Sequence, residues 1–357
     1  MTTILLNPGP VTLTKRVREA MLKPDLCHRE SEFSILQGDI REKLLRVYEL
    51  DKSAWVAALL TGSGTAAVEA MISTLIPDDG KLLSVENGVY GERITKIAEQ
   101  YGIPLAVANF DWTEAIDTTQ LERQLTQDQT ITHLAVIHHE TTTGRLNELL
   151  PILDVCKAHN VKVLLDGVSS FGAEAIPFQH ESLLCCAATA NKCLHGVPGT
   201  AFVILRRDAL NQAAQRNLYL NLKAYVEAQD NHGTPFTQSV QTFYALDEAL
   251  DELFEAGGQQ ARLALYLQRM STMRAALEAL KIEPLLAQQE CSAVLHAYKL
   301  PAGYEYSRLH RELKASGFII YAGQAEFAKT LFRISMMGDI KEDDMLRLIA
   351  AFQAAFS

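Results

Sequence analysis

The chain has 357 residues, which at about 150 residues per domain indicates about two domains with a substantial core. Lys and Arg number 33 against 43 Asp and Glu, so the formal net charge is −10, and the 48% hydrophobic and 21% charged residues are typical of a folded, soluble protein. No basic run favours nucleic-acid binding, and no apolar run approaches the ~20 residues of a membrane-spanning helix. We therefore expect a cytoplasmic protein without a nucleic-acid or membrane partner.

Short apolar runs alternate with amphipathic segments in the first half of the chain. Strands are predicted at 82–85, 105–108, 134–137, 161–165 and 201–205, and helices at 91–101, 118–125 and 149–159. This alternation is typical of βαβ units and predicts an α/β fold with a mostly parallel sheet flanked by helices. Because such sheets bind ligands at the carboxyl ends of their strands, the residues that follow each strand are the first candidates for a site.

The pattern changes after about residue 208. Helices are predicted at 239–255 and 259–280, followed by strands at 293–298, 318–321 and 331–335 and by helices at 306–315 and 341–356. The sequence therefore predicts a large domain at 1–250 and a smaller C-terminal α/β domain at 251–357.

A glycine- and hydroxyl-rich turn at 61–67 (TGSGTAA) leads into an amphipathic segment. Unpaired N–H groups at the start of a helix, together with the hydroxyls of Ser63 and Thr65, favour phosphate binding. A plain helix cap with glycines in the turn is the alternative interpretation.

Two further residues follow predicted strands or apolar runs. Asp166 ends the apolar run 161–165, where a carboxylate needs a partner or else caps the next element. Lys192 lies among small residues at 188–199, a setting that lowers the pKa of an amine, although most lysines are simply solvated.

Taken together, these features match the needs of pyridoxal 5′-phosphate. The cofactor needs a phosphate anchor, a carboxylate that keeps the pyridine nitrogen protonated, and an amine for a Schiff base. A metal is not expected, because the six cysteines show no CxxC spacing and the adjacent His138 and His139 point to opposite faces of a strand.

With these motifs in view, the chain resembles the class V aminotransferases of the fold type I pyridoxal phosphate enzymes. The resemblance extends over nearly the whole chain, through the stretches 7–11 (NPGPV), 61–70, 87–93 (NGVYGER), 138–144 (HHETTTG), 166–172 (DGVSSFG), 191–199 (NKCLHGVPG) and 332–334 (FRI). It implies a seven-stranded type of mostly parallel sheet and a homodimer with active sites at the subunit interface.

The resemblance also implies a role for each matching residue. Lys192 would form the Schiff base and move the proton, and Asp166 would pair with the pyridinium nitrogen. Arg333 would hold the anionic end of the substrate with its planar fork. The remaining implied cofactor-binding residues are Ser63, Gly64, Thr65 and Asn191 at the phosphate, Tyr90 and Val168 on the two ring faces, Thr141 near the ring oxygen, and Thr234 at the neighbouring subunit's phosphate.

Within the family, the stretches around Thr141 and Lys192 are most similar to members that transfer an amino group from 2-aminoethylphosphonate to pyruvate, giving phosphonoacetaldehyde and L-alanine. Two alternatives stay open: an alanine or serine aminotransferase that uses glyoxylate or pyruvate, and a non-catalytic relative with a scaffold role. Segment 230–237 is shorter than expected and Gln324 stands where a lysine is common, so fewer fixed cations are expected near the substrate.

Overall fold

The structure is a computed structural model, and it describes residues 3–356. The helices are α1 (Lys15–Ala20), α2 (Ser31–Arg46), α3 (Gly64–Leu75), α4 (Val89–Gln100), α5 (Thr118–Gln127), α6 (Leu149–Ala158), α7 (Leu222–Asp230), α8 (Val240–Glu255), α9 (Gly258–Ala279), α10 (Tyr306–Ala315) and α11 (Glu342–Phe356). The strands are β1 (Ile4–Leu5), β2 (Trp55–Gly62), β3 (Leu82–Glu86), β4 (Leu105–Asn109), β5 (His133–Ile137), β6 (His139–Glu140), β7 (Arg145–Leu146), β8 (Lys162–Asp166), β9 (Leu183–Thr189), β10 (Gly199–Arg206), β11 (Leu295–Lys299), β12 (Phe318–Ile319), β13 (Tyr321–Ala322) and β14 (Leu331–Ser335).

The central sheet has seven strands in the order β2-β10-β9-β8-β5-β3-β4. Strand β10 runs antiparallel to both of its neighbours, and the pairs from β9 through β4 are parallel. This confirms the predicted α/β fold with a mostly parallel sheet. The sequence analysis did not predict β2 and β9, because their alanine-, leucine- and cysteine-rich runs carry little of the branched or aromatic signal of a strand.

Both faces of the central sheet are buried. Along β8, Val163 and Leu165 point into one apolar cluster and Leu164 points into another on the opposite face. This alternation follows from the two-residue period of a strand, and burial on both sides is what a sheet covered by helices requires. The carboxyl ends of β3, β5, β8 and β9 are therefore presented at one edge.

The C-terminal part of the chain forms a second layered unit. Strands β11, β14 and β13 make an antiparallel sheet, and α9, α10 and α11 share its apolar core. The N-terminal strand β1 pairs with β12, and Ile4 and Leu6 are buried in the same core. Helix α8 spans the predicted boundary at residue 250, and the division into domains 1–250 and 251–357 stays a prediction. No helix within residues 3–356 is long and apolar enough to cross a membrane.

Candidate active site

Asp166 lies at the carboxyl end of β8, as the sequence predicts. Its side chain is buried, Oδ1 accepts a hydrogen bond from the backbone N–H of Val168 at 2.9 Å, and Oδ2 makes no hydrogen bond within residues 3–356. Burial raises the pKa of Asp166 to about 6, and the positive charges of Arg93 and Lys192 act against that rise. A buried carboxylate with one free oxygen is suited to receive a cationic N–H group.

Lys192 lies in the loop between β9 and β10, close enough to Asp166 for the two charges to interact. Desolvation lowers the pKa of its amine to about 8, and Nζ donates a hydrogen bond to the carbonyl oxygen of Pro8. Gly9, which follows Pro8, has a φ of +109°, and a Cβ on Gly9 would lie 2.7 Å from Cδ of Lys192. Glycine is thus required where the N-terminal segment crosses the lysine.

The first turn of α3 is open towards this site. Ser63 occupies the N-cap position of α3, but its side chain makes no capping hydrogen bond. The hydroxyl of Ser63 is exposed, and the phosphate-binding role of this segment stays a prediction. A Cβ on Gly64 would lie 2.8 Å from Cγ1 of Val168, so the start of α3 packs directly against the loop that follows Asp166. The Oγ1 atom of Thr65 accepts a hydrogen bond from Arg93 Nη1 at 3.2 Å.

Tyr90 lies in the first turn of α4, next to a buried acid that the sequence analysis did not select. Its backbone N–H donates to Oε2 of Glu140 at 3.2 Å, while Oε1 of Glu140 accepts from the backbone N–H of Thr142 at 3.0 Å and from its hydroxyl at 2.6 Å. Burial raises the pKa of Glu140 to about 7. Glu140 thus fixes the start of α4 and the turn that carries Thr141.

Arg333 lies on β14 with only 2% of its surface exposed. Its Nε donates to the carbonyl oxygen of Ala322 at 2.8 Å, and its Nη1 donates to the carbonyl oxygen of Thr141 at 2.8 Å and to Oε1 of Gln324 at 2.9 Å. Only Nη2 makes no hydrogen bond within residues 3–356. Arg333 can therefore bind an anion through both Nη1 and Nη2 only if the hydrogen bond from Nη1 to Gln324 breaks.

The remaining predicted residues lie near this group. The Oδ1 atom of Asn191 accepts from the hydroxyl of Thr189 at 2.8 Å. The hydroxyl of Thr234 accepts from Gln238 Nε2 at 3.0 Å and donates to the carbonyl oxygen of Phe236, so it is engaged within its own chain. Its contact with a neighbouring subunit, and the cofactor roles of the other predicted residues, stay predictions.

Two histidines of the loops at this edge make hydrogen bonds within the fold. His138 Nδ1 lies 3.0 Å from the hydroxyl of Ser170, and His195 Nε2 accepts from the backbone N–H of Gly338 at 2.8 Å. Burial lowers the pKa of both imidazoles. They hold loops in place and stay neutral at physiological pH.

Two polar residues of the site, Arg93 and Glu140, were not selected from the sequence, whereas Gln324 was noted there in place of a lysine. For Arg93 a signal existed, since residues three apart share a helix face and Arg93 follows Tyr90 by three. For Glu140, the partner Tyr90 is 50 positions away in the sequence. No local pattern distinguishes Glu140 from a solvated polar residue.

The residues present fit pyridoxal phosphate. Asp166 has an unengaged oxygen in a buried setting, the Lys192 amine has a lowered pKa, and the uncapped start of α3 offers N–H groups to a phosphate. Within residues 3–356, no group of three or more His, Cys, Asp or Glu side chains is placed to hold a metal ion.

The chain is similar to known proteins over nearly its whole length. The sequence matches the aminotransferase class-V family over residues 24–348. It is 37% identical over 354 residues to proteins named 2-aminoethylphosphonate–pyruvate transaminase from Bacillus mycoides and Bacillus anthracis, covering 97% of this chain and 96% of each relative.

Solved structures show the same architecture. An aspartate aminotransferase of subgroup IV from Thermus thermophilus superposes with a TM-score of 0.90 at 25% identity, covering 99% of both chains. An alanine–glyoxylate aminotransferase from Nostoc sp. superposes with a TM-score of 0.92 at 22% identity, covering 100% of this chain and 96% of the other.

Proposed function

The chain belongs to the class-V aminotransferases, and from that premise we propose that it transfers the amino group of 2-aminoethylphosphonate to pyruvate, giving phosphonoacetaldehyde and L-alanine. Relatives that align over almost their whole length carry the name of this activity. The family and fold imply pyridoxal 5′-phosphate as the cofactor.

The observation that carries the proposal is that Asp166 and Lys192 follow two neighbouring parallel strands, β8 and β9, near enough for their charges to interact. Burial raises the pKa of Asp166 and lowers the pKa of Lys192. When bound, pyridoxal phosphate supplies an aldehyde carbon that bonds to amines and a ring that accepts the electron pair of a deprotonated carbon. Asp166 would hold a proton on the ring nitrogen through its unengaged Oδ2. Both residues are present, which argues against a non-catalytic scaffold.

Lys192 supplies the amine for covalent attachment and for proton transfer. With a pKa of about 8, a sizeable fraction of its amine is neutral near pH 7.5 and therefore nucleophilic. When it carries a proton, Nζ has a defined acceptor in the carbonyl oxygen of Pro8. The N-terminal segment thus offers the amine a resting position separate from Asp166.

Arg333 would receive the anionic end of the amino donor. Its Nη2 is the unengaged donor, and Gln324 adds a neutral amide beside it rather than a second cation. This observation favours a second candidate function, an alanine or serine aminotransferase acting with glyoxylate or pyruvate, since a singly charged carboxylate needs less positive charge than a phosphonate.

We also infer a homodimer. Leu218 and Tyr219 are 82% and 44% exposed, and the ring of Tyr219 lies 4.9 Å from that of Phe236, beside the segment that carries Thr234. An exposed apolar patch of this kind is suited to be covered by a second subunit. Leu218→Glu should shift the mass measured by light scattering towards the monomer, and an unchanged dimer would locate the interface elsewhere.

A single-turnover experiment tests the substrate. The purified holoenzyme is mixed with 2-aminoethylphosphonate, L-alanine or L-serine without a keto acid, and the visible absorbance of the cofactor is followed. We expect 2-aminoethylphosphonate to convert the spectrum fastest, with Lys192→Ala as the inactive control. Rapid conversion by alanine or serine without conversion by the aminophosphonate would reject the proposed donor and favour the second candidate.

A further inference from the structure

We propose that Arg93 is an anion-binding residue of the cofactor site and that its guanidinium binds the phosphate of pyridoxal phosphate. Arg93 lies on α4, three residues after Tyr90, and its Cζ lies 4.7 Å from the centroid of the Tyr90 ring. Its Nη1 donates to the Thr65 hydroxyl at 3.2 Å, in the first turn of α3. The side chain therefore bridges the beginnings of the two helices that frame the site.

The Arg93 guanidinium makes no hydrogen bond to an acidic side chain within residues 3–356. Within residues 3–356 its polar contact is the neutral hydroxyl of Thr65, and it forms no ion pair with a carboxylate. By contrast, Lys96 on the same helix pairs with Glu92 at 3.7 Å and is 73% exposed. A partly buried guanidinium that forms no ion pair is available to bind the anion of a ligand.

The surroundings of Arg93 add to the need for an anion. The start of α3, with its partial positive charge, is not capped by the Ser63 side chain, and Arg93 lies at that same helix start. The charge of Arg93 also reaches the other two ionisable residues of the site, Asp166 and Lys192. A guanidinium and open helix N–H groups together form strong, charge-assisted hydrogen bonds to a phosphate.

The inference rests on the proposed function only in requiring that pyridoxal phosphate is the cofactor. Pyridoxal lacks the phosphate but has the same ring and aldehyde, so the ratio of the two affinities isolates the phosphate contact. The cofactor-free full-length protein is titrated with each compound and binding is followed by fluorescence quenching. Arg93→Met, Arg93→Lys and the wild type are compared, and Lys96→Met removes a charge from the same helix as the matched control.

We expect Arg93→Met to weaken binding of pyridoxal phosphate by about 10- to 100-fold, the range for charge-assisted hydrogen bonds, and to change pyridoxal binding less than about twofold. Arg93→Lys should recover part of the loss, and Lys96→Met should match the wild type. Inorganic phosphate should compete with pyridoxal phosphate for the wild type and compete less for Arg93→Met.

Three results would overturn the inference. An equal loss of affinity for both compounds would mean that Arg93 shapes the pocket rather than binding phosphate. Unchanged cofactor affinity with a raised KM for 2-aminoethylphosphonate would place the guanidinium at the substrate instead. The urea unfolding curve shows whether Arg93→Met folds, and if it does not, Arg93→Gln replaces it. An unchanged ratio of the affinities for pyridoxal phosphate and pyridoxal in Arg93→Gln would then exclude the contact between Arg93 and the phosphate. A wild type that binds neither compound would instead refute the proposed function.

Discussion

Replacing Gly88 with alanine should destabilise the protein through a clash with the buried carboxylate of Glu140. The φ of Gly88 is 163°, an extended conformation that alanine adopts readily, so the backbone itself does not require glycine. A Cβ at this position would lie 2.5 Å from Oε2 of Glu140 and still closer to its Cδ and Cγ. Since carbon and oxygen atoms in contact need more than about 3 Å, the carboxylate must shift.

The cost follows from the hydrogen bonds that a shifted carboxylate loses. Oε2 accepts from Tyr90 N at 3.2 Å, and Oε1 accepts from Thr142 N at 3.0 Å and Thr142 Oγ1 at 2.6 Å. Above its pKa of about 7, Glu140 is ionised, and each bond to this charged acceptor contributes about 1.5–3 kcal/mol. Loss of one bond with partial loss of another lowers the free energy of unfolding by about 2–4 kcal/mol.

A double-mutant cycle checks this reasoning. The free energies of unfolding in urea are compared for the wild type, Gly88→Ala, Glu140→Ala and the double variant. We expect Gly88→Ala to be nearly neutral once Glu140 is shortened. The control is Gly38→Ala within α2, where a Cβ meets no atom within 4 Å and where alanine should stabilise by about 0.5–1 kcal/mol. If the effects of the two single substitutions on the free energy of unfolding add to within about 0.5 kcal/mol in the double variant, the clash with Glu140 is not the cause of the destabilisation.

Three further predictions concern the site and its protonation. Asp166→Asn should lower kcat by about 10²- to 10³-fold in a coupled assay of alanine formation, because an amide does not hold the ring nitrogen's proton by charge; near-normal kcat would contradict that role. Gln324→Glu should pair with Arg333 and raise the KM for anionic amines by roughly tenfold, more for the phosphonate than for alanine, with kcat changed less; an unchanged KM would separate Gln324 from the substrate. Burial lowers the pKa of several histidines to about 3 or 4: His133, His138, His139 and His296. Below the ordinary histidine pKa of 6.5, these imidazoles bind protons in the unfolded chain but not in the folded protein, which lowers the free energy of unfolding. The raised pKa values of Asp166 and Glu140 have the opposite effect on stability and offset this loss only in part. The urea midpoint should therefore fall as the pH is lowered from about 6.5 to 4, and a constant midpoint would contradict these shifts.

Much of the large sheet could be predicted from local sequence. Strands β3, β5, β8 and β10 are largely buried and the edge strand β4 is partly buried. Most of the five contain branched apolar residues, so their positions follow from the runs themselves. The place of Asp166 at a strand end follows from the same run. Strands β2 and β9 were missed because alanine and leucine suit a helix as well as a strand.

Local sequence patterns identify the chemical groups that are available: the lysine, the aspartate, the hydroxyl-rich helix start and the arginine on β14. Which of these groups meet depends on the fold of the whole chain. Pro8 contacts Lys192 across 184 positions, and Arg333 contacts Thr141 across 192. Such contacts depend on how strands are ordered in the sheet and where the N-terminal segment crosses it, whereas local patterns record only burial and periodicity within each element.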